Sequence, residues 1–124
     1  DAMNALALLQ SFDYVDKNRI GIIGGSRGGM MALQMLARTD IFKAAVTFGA
    51  PTEFTDLAED SYILATAKRF IPDVADIRAE LAKRSVTLYA DKLCKTTPLL
   101  VQHGSGDRRV EPEHAYKLGL ALQK

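Results

Sequence analysis

A serine stands among glycines in Gly24-Gly25-Ser26-Arg27-Gly28-Gly29, after the apolar run Ile20 to Ile23 and before the helix-forming run Met30 to Ala37. Gly24, Ser26 and Gly28 have the G-x-S-x-G spacing of a nucleophile elbow, in which a strand turns sharply into a helix. A serine hydroxyl held at that corner can attack an ester or amide carbonyl. Crowding on both sides of the corner predicts that Gly24 and Gly28 are glycine for want of room, with Gly25 and Gly29 adding more. The same turn could instead aim helix N-terminal amides at a phosphate. However, the Gly-Lys-Ser/Thr of a P-loop is absent, and no convincing G-x-G-x-x-G with a following acidic residue is present.

An elbow serine needs a base, and the base needs an orienting acid, in the chain order serine, acid, histidine. Asp107 suits the acid: it lies in the loop Gly104-Ser105-Gly106-Asp107, directly after the apolar run Pro98 to His103. Many loop aspartates only cap or turn, so its place after a strand is the stronger sign. The two histidines fit the base poorly. His103 precedes the acid and reads as a buried, satisfied strand-end residue. His114 lies one turn beyond the acid loop and reads as a helix-surface residue, an unfavoured base. The residues after Asp107 suffice for one helix, with no room for a further strand and loop.

The elements that must position these groups can be read from periodicity. Asp1 to Phe12 is expected as a helix capped by Asp1, with Ala2, Ala5, Leu6, Leu9 and Phe12 on one face. After a polar turn come the β-branched strand, the elbow and a deeply buried helix to about Arg38. Ile41 to Lys43 reads as a link and Ala44 to Phe48 as a second strand. Thr52 to Pro72 is irregular and acidic, with a helical stretch at Tyr62 to Phe70; it reads equally as a substrate-contacting lid or a solvated loop. A helix is expected from about Asp73 to Lys83, using Val74, Ile77 and Leu81. A helical turn near Tyr89 to Leu93 follows, then a strand at Pro98 to His103 and a helix opened by Pro112.

Helices alternating with strands imply an α/β fold with about three parallel strands joined by right-handed crossovers. If each strand adds on the same side, the helices fall mainly on one face of the sheet. The strands are nonetheless apolar on both faces, as in sheets covered on both sides. Something beyond these residues is expected to cover the second face, and self-association through it is one possibility.

Taken together, the elbow and the segment Pro98-Leu99-Leu100-Val101-Gln102-His103-Gly104-Ser105-Gly106-Asp107-Arg108-Arg109-Val110 resemble the catalytic domain of the prolyl oligopeptidase family. They are also similar to dienelactone hydrolase-like esterases. The resemblance runs over essentially the whole chain. It implies a single partial α/β-hydrolase domain over residues 1–124, with Ser26 as nucleophile, Asp107 as triad acid and the Arg27 backbone N–H as one oxyanion donor. It places the catalytic histidine one helix and one strand past the acid, and the second oxyanion donor before the nucleophile strand; neither is expected within this chain. The reading is a serine peptidase acting on a small peptide, or an esterase on an ester, with the chain alone inactive. The competing reading is a non-catalytic α/β assembly module.

The totals agree with a single domain of this kind. The chain has 124 residues, 16 Lys plus Arg against 15 Asp plus Glu, and a net charge of +1, which gives no basic excess for nucleic acid. No apolar run is long enough for a membrane helix. Cys94 is the single cysteine, which excludes an internal disulfide and offers no metal cluster; it is expected to be packed or half-buried. No metal or cofactor is expected. Arg27, Arg108 and Arg109 are expected as surface charges, Arg27 paired with a carboxylate, and Met30, Met31 and Met35 as core packing.

Overall fold

Three apolar runs form the strands, and the good helix formers between them make the crossovers. The computed structural model describes residues 1–71, 73–93 and 95–124; the expectation for Cys94 lies outside the described residues. In chain order the elements are α1 (Ala2–Ser11), β1 (Ile20–Gly25), α2 (Arg27–Leu36), β2 (Phe42–Phe48), α3 (Tyr62–Phe70) and α4 (Ile77–Ala82). A 3-10 helix (Val86–Lys92), β3 (Leu99–Gln102) and α5 (Glu113–Leu122) complete the chain. The sheet has the order β1-β2-β3 and is parallel throughout, with Ile23 opposite Val46 and Val46 opposite Leu100.

Several boundaries differ from the sequence reading. Residues 41–43 are not merely a link, because Phe42 already pairs with Ile20 and starts β2. Asp1 occupies the cap position of α1, but its carboxylate accepts no capping hydrogen bond. Of the expected inner face of α1, Leu6 is buried while Leu9 and Phe12 are exposed. α4 starts only at Ile77, where the Asp76 carboxylate accepts from the Arg78 and Ala79 N–H groups. Asp73, at φ 64°, lies in the left-handed region and cannot continue a helix through Val74. The 3-10 helix is broken by non-helical backbone at Tyr89.

Period-two alternation sorts the strand side chains. Ala45 and Thr47 of β2 face the helices, and the main core joins Leu6, Ile20, Leu33, Leu36, Phe42 and Leu118. α2 is buried along Ala32, Leu33, Met35 and Leu36, whereas Met31 is exposed, contrary to a core role for it. A second core of Phe54, Leu64, Ala67 and Leu81 lies between β2 and β3 in sequence and takes in Met30 of α2. The other sheet face is open at both ends of the paired row from β1 to β3, where Ile23 is 72 % exposed and Leu100 52 % exposed, with Val46 between them half-buried. Because Ile23 gains almost no burial, Ile23→Ser should change stability by less than about 0.5 kcal/mol in urea denaturation of this chain.

Candidate active site

β1 ends at Gly25, and α2 begins at Arg27 with Ser26 in the cap position between them. Ser26 has φ 50° and ψ −124°, a conformation that L-residues rarely adopt. Its own N–H donates to Phe48 O at 2.9 Å, tying the corner to the end of β2. The Ser26 carbonyl accepts from Gly29 and Met30, which starts the helix. Ser26 is exposed, so its hydroxyl is open to a ligand.

The glycines divide differently from the motif. A Cβ on Gly24 would lie 2.3 Å from Gly28 O, backbone against backbone, and one on Gly29 would lie 2.6 Å from the Ala50 Cβ. Gly28 itself has open space where its Cβ would be. The close approach is thus made by Gly24 and Gly29, while the backbone of Gly28 is what Gly24 must clear. A Cβ on Gly25 would strike the Phe48 ring.

Asp107 lies at the same end of the sheet. Its Oδ1 accepts from the N–H groups of Arg109 (2.9 Å) and Val110 (3.1 Å). Its Oδ2 faces Gly49, where a Cβ would sit 3.4 Å away. Gly49 has φ +55° and directly follows Phe48, the residue that holds Ser26. The serine and the carboxylate therefore stand over one strand end. The hydrogen bonds from Val110 and then Arg109 hold the Asp107 carboxyl below the usual carboxylate range. Asp107→Ala should free the Arg109 and Val110 amides, with faster hydrogen exchange at those two positions as the readout.

The histidines are engaged away from Ser26. The His103 side chain is buried, as expected, and its Nε2 donates to Val110 O at 2.8 Å, 3.8 Å from Asp107 Oδ2. It is not fully satisfied, because Nδ1 has no partner among the described residues. His114 is not on the helix surface: it is buried, and its Nδ1 accepts from the Thr52 and Glu53 N–H groups. Packing of α5 over the turn after β2 draws it inward, a long-range effect invisible to helical periodicity.

The Arg27 N–H opens α2 and makes no hydrogen bond among the described residues, which leaves a donor next to Ser26. The Arg27 side chain is exposed and forms no ion pair among the described residues, contrary to expectation. Arg109 is more than a solvated charge, since its guanidinium lies 5.6 Å from the centre of the Tyr62 ring.

Beside Ser26 opens a cavity of about 280 Å³, walled by Met30, Phe54, Ile63, Ala67, Ile71 and Val110. The sequence reading did not find these walls. Their signal was the apolar set Phe54, Ile63 and Ala67 inside a segment that also carries Glu53, Asp56, Glu59 and Asp60. Two of those acids pair at the surface: Glu59 with Arg78 and Lys68, and Asp56 with Lys117. The segment is thus both a charged outer surface and an apolar wall.

Comparison with known proteins accords with this geometry. A curated relative, the uncharacterized peptidase YuxL of Bacillus subtilis, is 34 % identical over 114 residues, which is 90 % of this chain and 17 % of that protein. A second B. subtilis protein, the uncharacterized peptidase YtmA, is 30 % identical over 129 residues and is 49 % covered. The chain thus spans from about a sixth to a half of these relatives' lengths. Among solved structures, a puromycin-hydrolyzing peptidase of Mycobacterium tuberculosis superposes with a TM-score of 0.76 at 26 % identity, covering 98 % of this chain and 19 % of that one. An acylaminoacyl peptidase of Pyrococcus horikoshii gives a TM-score of 0.74 at 27 % identity, covering 94 % of this chain and 19 % of that one. The fold is that of the α/β-hydrolase peptidases, in its partial, three-stranded form. The model of the prolyl oligopeptidase family matches residues 1–124, and the chain belongs to that family.

Proposed function

We propose that this chain carries the nucleophile and the acid of a serine peptidase that works through an acyl-enzyme. Ser26 Oγ attacks the carbonyl carbon of a small peptide, and its proton passes to an imidazole that Asp107 orients. The Arg27 N–H donates to the oxyanion, in a position where charge develops only as the bond forms. The proton then goes to the departing amine, and water releases the acyl group by the reverse relay. The imidazole comes from a part of the whole protein other than these residues, because His103 and His114 are committed elsewhere.

The observation that carries this reading is the strained, exposed Ser26 tied to Phe48, with the Asp107 carboxylate beside Gly49 at the same strand end. Family membership favours peptidase over esterase. To test it, these residues would replace the matching segment of B. subtilis YuxL, and the graft would be assayed on aminoacyl p-nitroanilides and p-nitrophenyl esters. Amide hydrolysis that Ser26→Ala removes is the expected result; turnover of esters alone would favour the esterase reading, and no turnover by a folded graft the non-catalytic one.

A further inference from the structure

The turn after β2 is held from several sides. Thr52 Oγ1 donates to the backbone carbonyl of His114 at 2.6 Å, while His114 Nδ1 accepts from the N–H groups of Thr52 at 3.1 Å and Glu53 at 3.2 Å. A ring nitrogen that accepts cannot carry a proton, so the His114 proton sits on Nε2 and the ring is neutral. The next residue is Phe54, whose ring lies tilted against His114 with centroids 6.3 Å apart. Phe54 also walls the cavity beside Ser26, and its N–H is held by Ser85 Oγ and Glu53 Oε1. One imidazole thus fixes two consecutive amides next to a wall of the candidate substrate cavity.

Protonating Nδ1 would place a donor against two donors. We infer that His114 is a positioning residue whose neutral ring latches the 52–54 turn, and with it the Phe54 wall, and that protonation of the ring releases the latch. That the cavity receives a substrate rests on the serine peptidase reading; the latch does not.

The surroundings favour the neutral ring. Burial most of all, then Lys117 on α5 and the neighbouring His103 ring just after β3, push His114 below the ordinary histidine value; Glu53 and Asp56 from the turn pull the other way. Glu53 is itself held: its carboxylate accepts from Phe54, Thr55 and Thr87, the last being the uncharged contribution of the 3-10 helix. Glu111, Glu113, Arg108 and Arg109 share with His114 an open cleft of about 390 Å³. The pH dependence has a definite sign. Below the ordinary histidine value the unfolded chain binds a proton that the folded chain does not, so stability falls as pH falls, until the folded ring also protonates.

The test is amide exchange and chemical shift, read by NMR on the ¹⁵N-labelled chain as pH is lowered, with His114→Gln as the non-titrating control. The amides of Thr52, Glu53 and Phe54 should move and lose protection along the His114 titration curve, while Ala45 in the central strand β2, whose N–H donates to Pro98 O at 2.9 Å, stays protected and His114→Gln shows no such step. No step at Thr52 and Glu53, loss of the Ala45 amide at the same pH, or the same step in His114→Gln would each overturn the latch. No turnover enters the readout, so failure of the latch and failure of the Ser26 reading are separately visible.

Discussion

Gly24→Ala should destabilise the chain by about 3 kcal/mol, whereas Gly28→Ala should be neutral or stabilise it by up to about 1 kcal/mol. The two glycines hold equivalent motif positions and differ in what a methyl would meet. At Gly24 it would lie 2.3 Å from Gly28 O and 2.7 Å from Gly29 N. Neither atom can swing aside as a side-chain end can, because both belong to the first turn of α2, which packs on β1 through the core. Relief requires the strand and helix to separate, at the expense of the Leu33 and Leu36 packing. At Gly28 a methyl meets open space, and alanine is the better helix former. Urea denaturation of the two variants measures the difference directly. Similar losses at both positions would mean that the elbow is not held by the Gly24 approach.

Ser26→Ala should lower kcat of the active graft by about 10⁶-fold with little change in KM, leaving the roughly 10³- to 10⁴-fold advantage over water that binding and the oxyanion donors provide. In the proposed mechanism the hydroxyl is the reacting group, while the cavity walls that would hold the substrate are left in place by the change. Stability should move in the opposite direction for a different substitution. A non-glycine residue at φ 50° and ψ −124° stores about 1–3 kcal/mol of backbone strain. Ser26→Gly relieves it and should raise the urea midpoint while abolishing turnover, the expected behaviour of a residue kept strained for function. Ser26→Ala keeps the strain and should leave the midpoint nearly unchanged.

The parts of the molecule legible in its sequence were those specified by local rules. The β-branched run Ile20 to Ile23, the Ser26 corner and the Tyr62–Phe70 helix needed only neighbouring residues to be recognised. The open sheet face followed from strand order and crossover handedness, and Ile23 and Leu100 lie exposed on it. The rest depended on partners distant in sequence. His114 looked like a surface residue because helical periodicity says nothing of the Thr52 turn that covers it. Gly28 looked sterically required because the motif is symmetric, whereas the fold brings backbone only against Gly24 and Gly29. The Phe54 wall was hidden among acids, because a second small core forms only once α3 and α4 fold over Met30.

The most direct test of the Ser26 assignment is peptide-mapped labelling with a fluorophosphonate, applied to the chain alone and to the folded graft. Both histidines of the chain are engaged elsewhere, so the chain alone should label slowly and far below stoichiometry. The graft should label rapidly, stoichiometrically and at Ser26. Rapid labelling of Ser26 in the chain alone, or labelling of the graft at any other residue, would contradict the account.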